Sequence, residues 1–188
     1  MKFALSTSWR PEMPPEAFVD KALELGFDAL ELGYAVRPPQ MDGFKRRLGE
    51  MPVGSVHAFC PVPISAPAAH PELYSLAAAD AESRALARIQ LTRTIECAAD
   101  VGASAVVLHA GRVGFGTFFS RAFATDALRT ALQKEKGDLN AAKYAKMLKK
   151  AQLTRKKRGE KRLDVFKAEV EKLLPLLEKH HIVLGLEN

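Results

Sequence analysis

The sequence predicts an α/β fold of the (β/α)8 TIM-barrel type, present as an incomplete barrel of about five parallel strands, on three observations. Short apolar runs alternate with amphipathic helical stretches along the 188 residues, the pattern of strand–helix units feeding a parallel sheet. Each run is apolar along its whole length, so both faces of the sheet are expected to be covered. A joint also recurs. Ala22-Leu-Glu-Leu-Gly26-Phe-Asp28-Ala29 and Ala98-Ala-Asp-Val-Gly102-Ala-Ser104-Ala105 share the frame Ala-x-x-aliphatic-Gly-x-polar-Ala ahead of a strand. A doubly wound sheet would share these local patterns, but the Gly-x-Gly-x-x-Gly turn it often carries is missing after the first strand.

Strands are expected over residues 2–7, 27–33, 53–58, 104–110 and 182–187. Between the first two, Phe18, Ala22 and Leu25 recur at helical spacing behind Pro14-Pro15-Glu16, where proline suits a first turn, and Gly26 supplies the stop. A second helix places Ala87, Leu91, Ile95 and Ala98 on one stripe and stops at Gly102. The connection 111–181 is too long for one βα joint, so extra helices are expected between strands four and five. Thr125-Asp126 caps one that ends near Gly137-Asp138, and Asn140 starts a lysine-rich one. A last stripe, Leu163, Phe166, Val170, Leu173 and Leu177, precedes strand five, with Pro175 kinking or shortening it.

Composition bounds the function classes. The chain has 28 Lys+Arg against 22 Asp+Glu, net +6, and 47% hydrophobic residues, which describes one globular domain over residues 1–188 with a real core; the resemblance given below adds the expectation that it is truncated on its C-terminal side. No run approaches the roughly 20 apolar residues of a membrane span. The start, Met1-Lys2-Phe3-Ala4-Leu5-Ser6, lacks a secretory apolar region, and Cys60 and Cys97 cannot make a disulfide framework; a cytoplasmic protein is the expectation.

In a parallel barrel the C-terminal strand ends converge on one face, where polar residues carry chemistry. His57 ends the third strand, His109 the fourth and Glu187 the fifth. Five histidines scattered at random would place only about 0.3 of one among the roughly 12 such positions, so two there is a signal. Imidazole and carboxylate on successive strands suit a divalent metal, and a carboxylate buried without a partner after an apolar strand would be costly.

The motifs Phe27-Asp-Ala-Leu-Glu31-Leu-Gly33, Val56-His57-Ala58, Val107-Leu-His109-Ala-Gly111 and Leu186-Glu187-Asn188 resemble the second to fifth strands of the xylose isomerase-like TIM-barrel superfamily. That superfamily includes sugar isomerases and epimerases and the endonuclease IV-type AP endonucleases. The resemblance implies that Glu187 is a metal ligand and catalytic residue, and that His57 and His109 bind metal or substrate. It implies a divalent-metal-dependent sugar or sugar-phosphate isomerase or epimerase that transfers a proton next to a carbonyl. Zn²⁺ or Mn²⁺ comes first as cofactor, with Mg²⁺ and Co²⁺ also compatible. The family's later ligands, an Asp, a His and a Glu from strands six to eight, have no counterpart before Asn188. A partial barrel would leave apolar edges open, so completion by further chain or by other subunits, a homo-oligomer included, is expected.

Further substrate contacts are assigned to Arg112, which could hold a phosphate or carboxylate, to Trp9 through its aromatic face, and to Glu31 at the end of strand two. The loop Gly111-Arg112-Val-Gly114-Phe115-Gly116-Thr-Phe118-Phe119 could act as a lid. Residues 129–162 hold 13 Lys+Arg against 3 Asp+Glu, a local net charge of +10. A solvated helical hairpin explains this run. It also leaves open nucleic acid as a partner and an endonuclease IV-like phosphodiesterase as an alternative activity. A third reading is a non-catalytic partial barrel serving as a binding or assembly module.

Overall fold

The computed structural model describes residues 3–111 and 121–187. Five parallel strands, β1 (Ala4–Ser6), β2 (Ala29–Leu32), β3 (Val53–His57), β4 (Ala105–His109) and β5 (Val183–Glu187), form one open sheet in chain order. Every expected strand is present and is shorter by one to three residues, because the flanking positions serve turns. Thr7, for example, begins a 3-10 turn (Thr7–Trp9) and its buried hydroxyl accepts the Gly33 N–H at 2.7 Å.

Strand alternation sorts the side chains. Leu30, Leu32, Val56, Val106 and Leu108 are buried to 1% exposure or less and meet the apolar stripes of the helices. Helix α1 (Pro15–Glu24) supplies Phe18, Val19 and Ala22, and α3 (Ala81–Asp100) supplies Ala87, Leu91, Ile95 and Ala98, the stripe expected from the sequence. Asp80 caps α3 by accepting the Ser83 N–H at 2.7 Å, and Gly102, at φ +71°, ends the joint that follows.

Helix α2 (Pro38–Arg46) lies between the second and third strands, where the sequence analysis named no element. Pro38 and Pro39 occupy the first turn, where their missing N–H costs nothing, and Met41 and Phe44 turn inward. Gly43 lies in this helix because a Cβ there would clash with Pro15 of α1 at 2.7 Å.

The last apolar stripe divides in two, at the position where Pro175 breaks it: α5 (Ala142–Glu171) and α6 (Leu174–Lys179). Glu169, at the end of α5, is buried and is held by Arg88, by Lys172 at 2.9 Å and by Arg84 at 3.4 Å, which ties this turn to α3. The chain has two compact units, residues 1–111 with 168–188, and residues 112–167. The second unit contains α4 (Arg121–Lys134) and most of α5, joined by a turn in which Lys136 and Gly137 have positive φ. Lys143, Lys146, Lys149 and Lys150 are exposed there, as on a solvated face.

The expectation that both sheet faces are covered fails at β5. Val183 is 67% and Leu186 57% exposed, β5 being an outer strand of the described sheet.

Candidate functional site

Register brings three donors together. His109 pairs with Glu187 across β4 and β5, and His57 of β3 pairs with Val107, one pleat period earlier on β4. Paired and alternate residues share a face, so His57, His109 and Glu187 project from the same side of the sheet at the C-terminal strand ends. Neighbouring strands run about 4.8 Å apart, and the two imidazole centroids lie 5.3 Å apart accordingly. One oxygen of Glu187 is 3.4 Å from His57 Nε2 and 3.7 Å from His109 Nε2. One donor atom from each of the three lies within 4.8 Å of the others.

His57 Nδ1 lies 2.8 Å from the Ala58 carbonyl oxygen, which can only accept, so Nδ1 donates that bond and Nε2 is the nitrogen turned toward Glu187. The ring is buried, with the edge of Tyr34 packed against it at 5.3 Å between centroids. His109 is less enclosed, and its Nδ1 lies 3.8 Å from a carboxylate oxygen of Glu72 in the loop between β3 and α3.

Glu187 departs from the sequence expectation in one respect. Its side chain is 57% exposed, so the cost of a buried, unpaired carboxylate does not apply; strand register and the adjacent imidazoles bring it into the group. Two imidazole nitrogens and a carboxylate oxygen, converging on one region, form a donor set that fits a divalent ion such as Zn²⁺ or Mn²⁺. The Ala58 carbonyl behind His57 is the kind of outer support that fixes a ligating imidazole.

The other candidates are placed differently. Glu31 belongs to the same face by register but accepts a hydrogen bond from Ser55 Oγ at 3.1 Å. Trp9, 46% exposed, packs edge-on against Phe18 and carries the Arg10 guanidinium over its ring at 4.9 Å. Arg112 and the expected lid of residues 112–119 lie outside the described residues. Cys60 is fully buried and hydrogen-bonded to Cys97 of α3; that bond and burial push its thiol pKa up, which leaves it a packing residue.

Glu72, Tyr34 and the Ala58 carbonyl were missed by sequence reasoning. For Glu72 a signal existed: an acidic residue in His70-Pro-Glu72, within the loop that leaves the C-terminal end of the His57 strand.

A family model described as xylose isomerase-like TIM barrel matches residues 19–188. No curated protein is detectably similar in sequence. Among solved structures, a D-tagatose 3-epimerase-like protein matches with a TM-score of 0.60 at 19% identity, over 100% of this chain and 53% of that one. The 3-keto-D-glucoside 4-epimerase from E. coli, in its apo form, matches with a TM-score of 0.60 at 15% identity, over 99% of this chain and 55% of that one. The chain thus spans about half the length of the structures it resembles, and at these identities the likeness is one of fold.

Proposed function

Because the chain belongs to the xylose isomerase-like TIM-barrel family, we propose that it carries the metal-holding half of a sugar or sugar-phosphate isomerase or epimerase. The observation that supports this most is the convergence of His57, His109 and Glu187 within 4.8 Å at the strand ends. These three residues would hold a divalent ion, Zn²⁺ or Mn²⁺ for preference, with Mg²⁺ and Co²⁺ also tolerated by the carboxylate. Such an ion, when bound, supplies a Lewis acid beside the substrate carbonyl, next to which a proton is moved.

The chain's own residues prepare that chemistry. The Ala58 carbonyl accepts from His57 Nδ1 and leaves Nε2 facing the cleft. Tyr34 shields one side of that ring from water. Glu187, half-exposed, is reachable by a polyhydroxylated substrate. Trp9 offers an aromatic face to a sugar ring, Glu31 a hydroxyl acceptor and Arg112 a phosphate partner. Residues that close the sheet beyond β1 and β5, from further chain or from another subunit, would supply the rest of the coordination.

The test is metal content and ketose turnover in the purified protein, with Glu187→Gln beside it. Wild type is expected to retain about one divalent ion per chain. Glu187→Gln is expected to lose it while circular dichroism stays unchanged, with a fall in any turnover of about a hundredfold or more. Metal content unchanged in the variant would remove Glu187 from the site. A metal-dependent phosphodiesterase is a second reading, favoured by the paired histidines and the exposed lysines of α5. DNA binding that weakens steeply with salt, without ketose turnover, would select it.

A further inference from the structure

We infer that the exposed lysines of α5 form a docking surface for duplex DNA, gripping its phosphates without regard to base sequence. The order of charges within this one helix carries the inference. Residues 139–159 contain eight Lys and Arg and no Asp or Glu, whereas residues 160–171 contain three basic and four acidic residues. The second stretch is how a solvated helical face is ordinarily built, each charge three or four residues from its opposite, as Lys161 is from Asp164 and Lys167 from Glu171. The first stretch breaks that rule. Lys143, Lys146 and Lys149 follow at steps of three, and Lys146 and Lys150 at a step of four, so like charges are neighbours along the surface. Lys143 also stands in the first turn, at the positive end of the helix dipole, with no acid beside it there. Each placement opposes helix stability, and an anionic partner relieves it.

The lysines are also gathered. At 3.6 residues per turn, Lys143, Lys146, Lys149, Lys150, Lys156 and Lys157 fall within an arc of about 140° and along roughly 21 Å of the axis. All six are exposed, and among the described residues none of the six is held in an ion pair. The opposite side of α5 is taken by packing, with Tyr144 buried and Met147, Leu148 and Ala151 half-buried. A bilayer surface would need apolar side chains free to insert, and beside the lysines only Leu153 is a large exposed one. The arc holds no aromatic ring on which the bases of a single strand would stack. Lysine meets a phosphate as a point charge. Width then selects the duplex: a helix about 10–12 Å across matches the roughly 12 Å major groove of B-form DNA, whereas the narrow major groove of A-form RNA shuts side chains out. Lys149 and Lys156 line one flank of the arc and Lys143, Lys150 and Lys157 the other, one row for each phosphate strand.

The inference goes beyond the proposed activity and holds whichever chemistry the strand ends carry. It is tested by fluorescence anisotropy of a short labelled DNA duplex of mixed sequence with the full chain, in EDTA, across a series of NaCl concentrations. Six lysine–phosphate contacts predict a slope of log affinity against log salt of about −5. Lys149→Gln combined with Lys156→Gln is expected to make that slope shallower by about 2, equally for duplexes of unrelated sequence, with circular dichroism unchanged. Lys167→Gln combined with Lys179→Gln removes the same charge elsewhere and should leave the slope as in wild type. The matching RNA duplex and phosphatidylserine vesicles are offered to the same samples. A wild-type slope shallower than about −2, or one unmoved by Lys149→Gln with Lys156→Gln, overturns the inference. Equal or tighter binding to the RNA duplex or to the vesicles overturns it too. Metal content and ketose turnover are read on separate samples, so failure of the proposed activity leaves this result standing.

Discussion

At the scale of single residues, the site depends on hydrogen bonds that are not part of it. Thr7 is the clearest case, since its buried hydroxyl accepts the Gly33 N–H and pins the β1 turn to the end of β2. Thr7→Val keeps the shape and orphans a buried N–H, so it is expected to cost about 1–3 kcal/mol in urea denaturation. The identities of His57, His109 and Glu187 were legible in the sequence, because a polar residue ending an apolar run marks a strand end. Their mutual distance was not, since it depends on the register of three strands. Glu72 carried only the signal of an acidic residue in the loop after the His57 strand; its placement was hidden, because Tyr74, Ser75 and His70 position that loop through contacts no local pattern announces. The exposure of Glu187 was misjudged because an apolar strand reads the same whether or not a neighbour covers it.

Among the elements, the tie between α3 and the end of α5 is the most sensitive to solution conditions. Burial raises the Glu169 carboxyl, but hydrogen bonds from Lys172 and Arg88, with their charges, outweigh it and hold the group below the usual 4.5. A carboxylate lowered in the folded state stabilises above its unfolded pKa, and that contribution is lost as pH falls through the folded value. Glu169→Gln is therefore expected to lower Tm by several degrees at pH 7. The gap to wild type should narrow as pH drops below about 4.5, as followed by thermal melts across pH. Helices with one clean stripe, α1 and α3, were readable from spacing alone, whereas α2 was hidden by its paired prolines and by Gly43, which packing against Pro15 demands. The break between α5 and α6 was foreseen from Pro175, a covalent constraint rather than a tertiary one.

For the molecule as a whole, the repeated βα joint gave away the parallel sheet, and the family match over residues 19–188 agrees with it. What lies next to β5 could not be read, because an apolar outer strand has the composition of an inner one. Val183, on the face that carries Glu187, and Leu186, on the face toward the helices, leave apolar side chains exposed along that outer edge. Val183→Lys combined with Leu186→Lys is expected to reduce binding of a hydrophobic dye and aggregation on heating. The change in unfolding free energy should stay within about 1 kcal/mol, as for surface substitutions. The donors, by contrast, need nothing from that outer side. They sit on one hydrogen-bonded ladder of three strands, so their spacing is set by the peptide hydrogen bonds themselves and follows from the pairing of β3, β4 and β5 alone.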